Sequence, residues 1–407
     1  MAPTAGTARD AVVVGAGPAG CAAAVTLARA GRDVVLVDKA TFPRDKICGD
    51  GLTVWALREL EGLGLEPATV ASWTPIGTAW VGSPSRRIVE LPLPRGQGLF
   101  AAVARRIDLD AALVDRARDA GVEVLEGVAC TRADQDADGI AVSLDGAEPL
   151  RTAALVAADG MWSPVRKHLG VAVPGYRGEW HAFRQYARNV GPLAAERLYA
   201  WFEPDFLPGY AWSFPVGDGG ANVGFGILRG GRWPVSAMGQ LWSEILARPH
   251  IREVLGPDAE LEGAPRAWPI PARSEGLALT AGRALFVGDA AAAADPLTGE
   301  GIGQALATGR WAAEAVLGGG TPAEVARRYE RQVHDHLHAD HAMSHLLGRA
   351  IGHRKGARIA IGLAGLTPWT RRNFARWLFE DYPRSVITTP RRWHAGMFTG
   401  PGAYRSG

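Results

Sequence analysis

The sequence predicts an α/β fold, α+β overall, in which a doubly wound parallel sheet is joined to an antiparallel-sheet domain and a helical C-terminal region. Three observations support this prediction. The chain opens with an apolar run, a glycine-rich turn and an Ala-rich stretch, its middle is rich in tryptophan and β-type runs, and its final segment is apolar with interrupting prolines. At about 150 residues per domain, 407 residues suffice for two or three domains.

The first predicted unit is a strand, a helix and a second strand. Ala11–Val14 is a short apolar run of the strand type, and Cys21–Ala30 is expected to form a helix that ends at Gly31. A second apolar run, Val34–Val37, leads into Asp38. This order is the usual opening of a doubly wound parallel sheet.

Further strands of this domain are spread along the chain. Val122–Leu125 and Ile140–Leu144 are expected as antiparallel or accessory strands, and Ala154–Ala157 as a buried strand. Ala284–Val287 repeats that form, and a helix is expected from near Gly301 onward. The domain is therefore predicted to be discontinuous and to consist of segments 1–72, 100–165 and 275–330.

A second domain is predicted in segments 73–99 and 166–274. Its β-type runs, such as Tyr210–Pro215 and Ala221–Ile227, indicate an antiparallel sheet. Segment 331–407 is predicted to be a helical C-terminal region whose apolar stretches are interrupted at Pro368 and Pro383. The tryptophans that mark the second domain are Trp180, Trp201, Trp212, Trp233, Trp242 and Trp268.

Composition narrows the class of protein. With 47% hydrophobic and 21% charged residues, the chain is neither collagen-like, disordered nor a disulfide scaffold. A formal net charge of +2 lacks the strong basic excess of nucleic-acid-binding proteins, so no nucleic-acid partner is expected. The cysteines Cys21, Cys48 and Cys130 are few and scattered, which suits a reducing compartment, and we expect a cytoplasmic location.

The positive charge is concentrated near the C-terminus. Residues 346–407 hold 11 Lys and Arg and 2 acidic residues, net 11 − 2 = +9, which leaves 33 − 40 = −7 for residues 1–345. A basic helix with an aromatic face either caps the core with its arginine stems or lies on an anionic membrane. The capping helix is favoured here, and peripheral membrane contact is the alternative. The residues concerned are Arg371, Arg372, Arg376, Arg391 and Arg392, with Trp369, Phe374, Trp377, Leu378 and Trp393.

Four histidines recur at helical spacing in the same region, at His334, His338, His341 and His345. On a continuous helix this spacing places them on one face, where pairs four residues apart can hold a metal. No carboxylate or cysteine completes a recognisable metal signature. We therefore expect a solvated or interhelical histidine stripe and no metal site.

A glycine fingerprint follows the first strand, Gly15-Ala16-Gly17-Pro18-Ala19-Gly20. Glycines at these three places permit a tight turn, close approach of the backbone to a pyrophosphate, and close packing of helix on strand. Asp38 lies 23 residues beyond Gly15 at a strand end, where its carboxylate can accept hydrogen bonds from a ribose. An acidic residue disfavours a 2′-phosphate, so the nucleotide is FAD or NAD rather than NADP.

A second set of small and acidic residues points to the longer of these cofactors. Gly288-Asp289 ends a later strand, and the stretch from Asp295 to Gly303 carries three more glycines before a helix. A short acidic side chain after a strand can hold ribityl hydroxyls, and glycines at a helix start let the backbone approach a flat ring and present amides to it. Two contacts so far apart in sequence imply one long cofactor, which favours FAD.

The chain also resembles the geranylgeranyl reductase family of FAD-dependent oxidoreductases, among the flavoproteins shaped like para-hydroxybenzoate hydroxylase. The resemblance covers nearly the whole chain, and its most specific motifs are Cys48-Gly49-Asp50-Gly51 and Tyr210-x-Trp212-x-Phe214-Pro215, because flavin hydroxylases share the others. The remaining matches are Gly15–Gly20, Phe42–Ile47, Leu52, Arg106, Leu109-Asp110, Ala158-Asp159-Gly160 with Ser163 and Arg166, Pro208-Gly209, Asn222–Gly224, and Gly288-Asp289 through Gly299–Ile302.

This resemblance implies a Rossmann-like FAD-binding domain, an inserted antiparallel-sheet substrate domain and a helical C-terminal region. It implies that Arg106 contacts the adenosine half of FAD, and that Pro296 and Gly301-Ile302 border the isoalloxazine. The residues expected to bind the cofactor are Gly15, Ala16, Gly17, Pro18, Ala19, Gly20, Asp38, Lys39, Cys48, Gly49, Asp50, Arg106, Asp159, Gly160, Gly288, Asp289, Pro296, Gly299, Gly301 and Ile302.

Members of this family reduce isolated carbon–carbon double bonds of prenyl chains, so the resemblance implies a small apolar substrate. Tyr210, Trp212 and Phe214 alternate along a predicted strand and therefore face one side, as a core layer or as the floor of a substrate cavity. The resemblance favours the cavity. Cys48 is a candidate catalytic proton donor, with Lys46 placed to lower its pKa, or a small packing residue under the ring.

Two alternatives remain open at this point. A flavin monooxygenase or halogenase would use the same cofactor and act through a C4a-hydroperoxide on an aromatic or polyketide-type metabolite. In a non-enzymatic protein the same fold would merely bind a lipid or an assembly partner, and absence of flavin from the purified protein would favour that alternative. The sequence has no second glycine fingerprint for NAD(P)H. Electrons are therefore expected from transient NAD(P)H contact, from ferredoxin or from a separate flavin reductase.

Overall fold

The structure is a computed structural model that describes residues 7–394 and 396–405. Its strands, in chain order, are β1 (Thr7–Val14), β2 (Val34–Asp38), β3 (Gly51–Thr53), β4 (Thr74–Pro75), β5 (Thr78–Gly82), β6 (Ile88–Pro92), β7 (Ala101–Val103), β8 (Glu123–Glu126), β9 (Cys130–Gln135), β10 (Ile140–Leu144), β11 (Ala147–Ala157), β12 (Trp180–Arg188), β13 (Leu198–Trp201), β14 (Ala211–Pro215), β15 (Ala221–Leu228), β16 (Glu260–Ile270), β17 (Thr280–Ala281) and β18 (Ala284–Phe286).

The helices alternate with these strands and then fill the C-terminal region. They are α1 (Pro18–Arg29), α2 (Val54–Gly62), α3 (Arg106–Asp119), α4 (Pro164–His168), α5 (Pro192–Glu196), α6 (Met238–Leu246), α7 (Pro249–Leu255), α8 (Ile302–Leu317), α9 (Pro322–Val333), α10 (Ala339–Ile351), α11 (Arg354–Ala364) and α12 (Pro368–Leu378).

The first sheet has the strand order β17-β18-β11-β1-β2-β8, with β10 and β9 added beside β11. Its central strands β18, β11, β1, β2 and β8 run parallel. Four of them carry buried apolar runs, at 11–14, 34–37, 154–157 and 284–286, because both faces of a parallel sheet are covered. The edge strand β8 is partly exposed and has a glutamate at each end. Helices α1 and α8 pack together closely, and a Cβ on Gly309 would lie 2.0 Å from the Ala19 carbonyl oxygen.

Two predicted elements of this sheet differ from the structure. The run predicted at Val122–Leu125 as antiparallel or accessory is β8, which pairs parallel to β2. Helix α3 carries the chain back before β8, and such a crossover returns the strand in the same direction. The first helix begins at Pro18 rather than Cys21, because proline is favoured at the first helical position. The accessory strand β10 is antiparallel, as expected.

The second sheet has the order β16-β12-β15-β14-β13-β5-β6. Its pairs are antiparallel except β13 with β5, which is parallel. Strands β5 and β6 come from the segment before β7 and complete one edge of this sheet. A third, small sheet has the order β3-β7-β4, and its strands alternate in sequence with those of the two large sheets. Strand β3 leads directly from the predicted cofactor loop into α2.

The C-terminal region is helical, and it both covers the core and exposes side chains. Arg376 of α12 is buried and pairs with Asp381, and Arg392 pairs with Asp340. These two arginines therefore hold the C-terminal segment on the core, as expected for a capping helix. Pro368 opens α12 rather than interrupting a helix, with Thr367 as its N-cap. No helix in the described ranges 7–394 and 396–405 is long and apolar enough to cross a membrane.

The histidine stripe is not a single face. A π-helical turn at His334–His338 changes the register between α9 and α10, so the spacing no longer follows one helical row. His334 and His338 have ring centroids 4.9 Å apart, whereas His341 turns inward to Ser274 and His345 is exposed. Among the described residues, no group of three His, Cys, Asp or Glu side chains is placed to hold a metal ion.

Candidate active site

A cavity of about 560 Å³ runs along the carboxyl ends of β1, β2, β11 and β18 and continues to the second sheet. Ligands of open α/β sheets bind at this edge, and the volume lies within the range of about 300–1,000 Å³ typical of ligand sites. Most residues predicted from the sequence line it. They are Gly15, Gly17, Pro18, Ala19, Asp38, Lys39, Cys48, Gly49, Asp50, Arg106, Asp159, Gly160, Gly288, Asp289, Gly299, Gly301, Ile302, Tyr210, Trp212 and Phe214.

The glycine turn after β1 has no room for side chains. Gly15 has φ +106°, and a Cβ there would lie 2.2 Å from the Ala158 carbonyl oxygen. A Cβ on Gly20 would lie 1.8 Å from the Gly15 carbonyl oxygen, so α1 can pack this closely on the turn only with glycine at this position. Gly20 itself does not line the cavity. Helix α1 begins with no side-chain cap, so its first turn faces the cavity with the positive end of the helix dipole. This is a site for an anion such as a pyrophosphate.

Asp38 supports the same turn. One carboxylate oxygen accepts a hydrogen bond from the Ala16 amide at 2.7 Å, and the other accepts from the Ala40 amide at 2.8 Å. Ala16 itself does not line the cavity. Each carboxylate oxygen retains further acceptor capacity, so Asp38 can hold the turn and still receive a ribose hydroxyl.

Two acidic side chains further along the cavity have unused acceptors. Asp159 Oδ1 is buried and has no hydrogen-bond partner, although Oδ2 accepts from the Val165 amide. The Asp289 carboxylate is half-buried and accepts no hydrogen bond from residues 7–394 and 396–405, whereas its backbone carbonyl accepts from the Ala292 amide. Buried acceptors are normally satisfied, so Asp159 Oδ1 fits a cofactor that presents hydroxyl donors, as the ribityl and ribose parts of FAD do, and the Asp289 carboxylate has the capacity to accept from the same cofactor.

The loop that carries Cys48 is held by one asparagine of β15. Asn222 Nδ2 donates to the Cys48 carbonyl oxygen at 2.8 Å and to Asp50 Oδ2 at 2.7 Å, and its own oxygen accepts from Trp212 Nε1 at 2.9 Å. Asp50 also accepts from the Tyr186 hydroxyl at 2.6 Å. Desolvation raises the pKa of Asp50 to about 6, while these two donors oppose the shift. The carboxylate of Asp50 therefore anchors the loop to the second sheet.

The Cys48 thiol keeps its proton. Desolvation raises its pKa to about 11, and the nearby Arg106 guanidinium only partly offsets this. The expectation that Lys46 lowers the pKa of Cys48 stays a prediction. The Lys46 ammonium lies 3.6 Å from the centre of the Trp268 ring, and the negative group that interacts with it most strongly is Asp289, with Cys48 contributing less. Desolvation lowers the pKa of Lys46 itself to about 8.

Arg106 lies in the middle of the cavity wall. Its guanidinium makes two hydrogen bonds to Asp110, at 2.7 and 2.8 Å, and also faces Cys48. Arg44 donates to the same carboxylate at 2.7 Å. Contact of Arg106 with the adenosine half of FAD stays a prediction. The sequence did not predict that the Arg106 guanidinium would lie beside Cys48.

The three aromatic residues predicted as a cavity floor do line the cavity together. Ring centroids are 6.0 Å apart for Tyr210 and Trp212 and 6.2 Å apart for Trp212 and Phe214. The Cys48 loop lies against them, because a Cβ on Gly49 or Gly51 would come within 3.4 to 3.7 Å of these rings. The aromatic row thus forms an apolar surface that begins at the Cys48 loop.

The loop between β18 and α8 closes the other side. The Tyr210 hydroxyl donates to the Thr298 carbonyl oxygen, and Trp180 Nε1 donates to the Pro296 carbonyl oxygen at 2.9 Å. Pro296 is therefore buried behind the wall, whereas Gly299, Gly301 and Ile302 line it. The first amides of α8 were expected to face the ring, but those of Ile302 and Gly303 donate to the Glu300 carboxylate.

A cluster of three carboxyl groups around one arginine was missed by the sequence analysis. Asp295 accepts from Arg384 Nε at 3.0 Å, Glu380 lies 3.6 Å from Arg384 Nη2, and Glu300 stands next to them in the cavity wall. Desolvation, followed by the neighbouring Glu380, raises the pKa of Glu300. Desolvation also raises the pKa of Glu380, so this cluster holds a proton near the aromatic floor at neutral pH.

No local pattern could have revealed this cluster completely. Glu300 stands between two glycines of a predicted cofactor loop and was a visible candidate, but Glu380 and Arg384 are some 80 residues downstream. Only the docking of the segment after α12 brings them together. Thr53 and Gln304 complete the cluster by donating to Glu380 at 2.8 and 2.9 Å.

Comparison with known proteins agrees with this site. A family model described as an FAD binding domain matches residues 8–195. The menaquinone reductase of Mycolicibacterium smegmatis is 37% identical over 337 residues, 77% of this chain and 78% of that protein. Digeranylgeranylglycerophospholipid reductase 2 of Methanopyrus kandleri is 34% identical over 337 residues, 79% of this chain and 81% of that protein.

The fold recurs in a solved structure. A geranylgeranyl bacteriochlorophyll reductase-like protein from Thermoplasma acidophilum superposes with a TM-score of 0.79 at 20% identity, covering 95% of this chain and 100% of that chain. The glycine turn, the free carboxylates and the matched domain agree on FAD as the cofactor. The chain therefore belongs to the geranylgeranyl reductase family of FAD-dependent oxidoreductases.

Proposed function

We propose that this protein reduces a carbon–carbon double bond in the isoprenoid chain of a quinone or a lipid. The observation that carries the proposal is the continuity of one cavity from the glycine turn of β1 to the row Tyr210, Trp212 and Phe214. A long cofactor and an apolar chain can meet there. The printed names of the relatives, menaquinone reductase and digeranylgeranylglycerophospholipid reductase, support a substrate of this kind.

The aromatic row binds and orients the chain. Burial of an isoprenoid chain against these rings releases about 0.8 kcal/mol per methylene-sized group, so a longer chain binds more tightly. The rings also keep water from the double bond, which lets one alkene carbon be held in a fixed position. FAD, when bound and reduced, supplies the hydride for that carbon.

The second alkene carbon needs a proton, and we assign its delivery to Cys48. The thiol is protonated at neutral pH, and the guanidinium of Arg106 stands beside it to stabilise the thiolate that proton transfer leaves. We assign the return of a proton to Cys48 to the carboxyl group of Glu300, which also holds its proton and whose charge raises the pKa of Cys48. One hydride and one proton are consumed for each double bond.

The experiment uses the full-length holoenzyme, reduced with dithionite without oxygen and mixed with prenylated quinones and prenyl phospholipids. The same head groups with saturated chains serve as controls. Mass spectrometry after exposure of the products to air is expected to show a lasting gain of two hydrogens in the isoprenoid chain. Air reoxidises a quinol but not a saturated chain, so this step separates ring reduction from chain reduction.

Two other outcomes of this experiment would contradict the proposed reaction. A gain of two hydrogens that air removes, and that exceeds the gain in an enzyme-free mixture with the same dithionite, would assign the enzyme to the quinone ring. Incorporation of oxygen or halogen into an aromatic compound when the reduced enzyme is mixed with air would favour the monooxygenase or halogenase alternative. Either result would overturn the proposed reaction on the isoprenoid chain.

A further inference from the structure

The outer side of the C-terminal helices exposes an unusual set of apolar side chains. Every large apolar side chain that is more than half exposed, within residues 7–394 and 396–405, lies between Leu346 and Trp393. Single exposed apolar residues are common on soluble proteins, but a cluster marks an interaction surface. Its densest part is Ile359, Leu363, Leu366 and Trp369, with exposed fractions of 62%, 56%, 63% and 66%, which we call the docking face.

The docking face is not needed for the core. Helix α11 buries Ala357, Ile361 and Ala364, which recur at helical spacing on its inner side. Gly365 then brings the helix end so close to β6 that a Cβ would lie 2.9 Å from the Val89 side chain. Because the inner side is already packed on the second sheet, Ile359 and Leu363 point away from it.

The charges around the docking face have one sign. Residues 341–379 contain Lys and Arg at seven positions and no Asp or Glu. Five of these cations are exposed and make no ion pair within the described parts of the chain, namely Arg349, Arg354, Lys355, Arg358 and Arg372. An apolar strip flanked by free cations is typical of a helix that lies in the plane of an anionic membrane.

We propose that α11 and the start of α12 dock this protein on an anionic lipid surface. The docking face enters the interface between head groups and acyl chains, and Arg354, Lys355, Arg358 and Arg372 bind the lipid phosphates. A second copy of the chain is a poorer partner for this surface. In a two-fold dimer the patch meets itself, which would oppose two cationic faces without a carboxylate between them.

The inner side of the helices that carry the docking face is connected to the candidate substrate cavity by packing. Phe214 of the aromatic row packs on the same hydrophobic cluster as Ile361 of α11 and Phe374 and Leu378 of α12. A lipid-borne isoprenoid chain would thus reach the cavity from the docked side. This last step rests on the proposed function, whereas the docking itself rests on the surface alone.

The test is flotation of the full-length, FAD-loaded protein with vesicles that contain no isoprenoid. Vesicles of phosphatidylglycerol and phosphatidylcholine in equal parts are compared with pure phosphatidylcholine, at about 0.1 M and about 0.5 M salt. One variant carries Ile359→Ser with Leu363→Ser, and a second carries Arg354→Gln with Arg358→Gln. The matched control carries Leu261→Ser with Arg327→Gln, since Leu261 is an exposed apolar residue on β16, at the sheet edge opposite β6.

The wild type and the control variant are expected to float with anionic vesicles and to be released by salt. The serine variant should bind at least tenfold more weakly to anionic vesicles, and the glutamine variant about fivefold more weakly per cation removed. Retained FAD absorbance and an unchanged melting temperature show that the variants are folded. Because no substrate is present, failure of the proposed reaction leaves these results unchanged.

Two results would overturn the proposal. One is equal binding of the wild type and the serine variant, or no binding of either to anionic vesicles. The other is a dimer, detected by light scattering, that dissociates in the serine variant, which would make the docking face a contact between copies of the chain.

Discussion

At the scale of single residues, the chemistry of Cys48 depends on what its surroundings do to its proton. A thiol whose pKa is raised to about 11 is a poor nucleophile at neutral pH but an available acid. Arg106 is the nearby cation that can receive the resulting negative charge. A protonated thiol beside a cation favours the interpretation of Cys48 as a proton donor over its interpretation as a packing residue, a choice that the sequence alone left open.

The first prediction concerns Cys48→Ser. A hydroxyl is a far weaker acid than a thiol, so we expect kcat to fall by about 10²-fold or more while KM stays within a factor of two or three. Steady-state kinetics with the best substrate of the panel measures both constants. Cys130→Ser, at the cysteine that lies elsewhere along the same cavity, serves as the control. A Cys48→Ser enzyme of normal kcat would return this residue to a packing role.

The second prediction isolates one hydrogen bond of the aromatic row. Trp212→Phe keeps an aromatic ring but removes the donor to Asn222, leaving a buried acceptor unpaired, and should cost about 1–3 kcal/mol in the free energy of unfolding. Trp201→Phe on the neighbouring strand is the matched control, since Trp201 Nε1 is buried without a partner in the described structure. Urea denaturation of both variants tests this. Equal losses would mean that ring size alone matters.

The third prediction concerns pH and Glu300. A carboxyl group whose pKa is higher in the folded chain stabilises the fold below its unfolded pKa, here near 4.5, and loses that contribution as the pH rises to about 8. Glu300→Gln cannot ionise and still accepts from the amide of Ile302. Relative to the wild type, the variant should therefore gain on the order of 2 kcal/mol between pH 4.5 and pH 8.5.

Chemical denaturation at these two pH values measures that gain. The control is Glu324→Gln, because the Thr321 backbone and hydroxyl lower the pKa of Glu324. Because the pKa of Glu324 is lowered in the folded chain, Glu324→Gln should lose stability relative to the wild type as the pH rises through the pKa that Glu324 has in the unfolded chain. A Glu300→Gln curve parallel to that of the wild type would contradict the assignment of a protonated Glu300.

At the scale of elements, the segment that follows α12 fixes the loop that precedes α8. Arg384 reaches back to Asp295 and Glu380, and Asp295 in turn accepts from the amides of Leu297 and Thr298. The loop that lines the cavity with Gly299 and Gly301 is thus held by a residue far downstream in sequence. Its conformation depends on the docking of a C-terminal segment of which no described residue lines the cavity.

The fourth prediction follows from that dependence. Arg384→Gln leaves a buried carboxylate without its guanidinium, which should cost about 3–5 kcal/mol of stability and should weaken FAD binding at least tenfold. Arg392→Gln, in the same segment but paired with Asp340 away from the cavity, should leave FAD affinity unchanged. Titration of the apoprotein with FAD, followed by fluorescence, gives both affinities. Equal affinities would show that the loop holds its shape without Arg384.

The elements that the sequence could predict are those governed by local rules. The glycine turn, α1, β2 and α8 follow from apolar periodicity and punctuation by glycine, and the structure contains each of them. The direction of β8, the parallel pairing of β13 with β5 and the π-helical turn depend on what the rest of the chain packs against. Periodicity along one segment does not contain that information.

At the scale of the whole molecule, the candidate site is one cavity lined by both large sheets and by the loop that leads into α8, and the C-terminal segment holds that loop from behind. Its cofactor half was predictable because glycines and acidic residues at strand ends have few other uses. The hydrogen bonds of Asn222 to the Cys48 loop and the carboxyl cluster around Arg384 were not predictable, because each joins residues that lie far apart in sequence. The predicted contacts of individual residues with FAD stay predictions.

The fifth prediction is that FAD stabilises the entire fold. A ligand that binds only the folded chain adds about 2.7 kcal/mol at a concentration one hundred times its Kd. The melting temperature of the apoprotein should therefore rise steadily with added FAD, and heat should release FAD rather than FMN from the purified holoprotein. FMN has no adenosine and therefore lacks the ribose that Asp38 is predicted to bind, so FMN should shift the melting temperature much less. An equal shift would contradict the role assigned to Asp38.

The position of β1 between β2 and β11 has a consequence for how the protein is made. Val14 leaves the ribosome long before its partner Ala157 in β11, and β11 in turn waits for its own partner strand β18, which begins at Ala284. At about 5–20 residues per second, the interval is on the order of tens of seconds. Through that time the nascent chain presents an apolar strand with an unpaired edge, which is a template for pairing with other chains. Because Asp295 pairs with Arg384, the loop before α8 reaches its final set of contacts later still, when Arg384 has emerged.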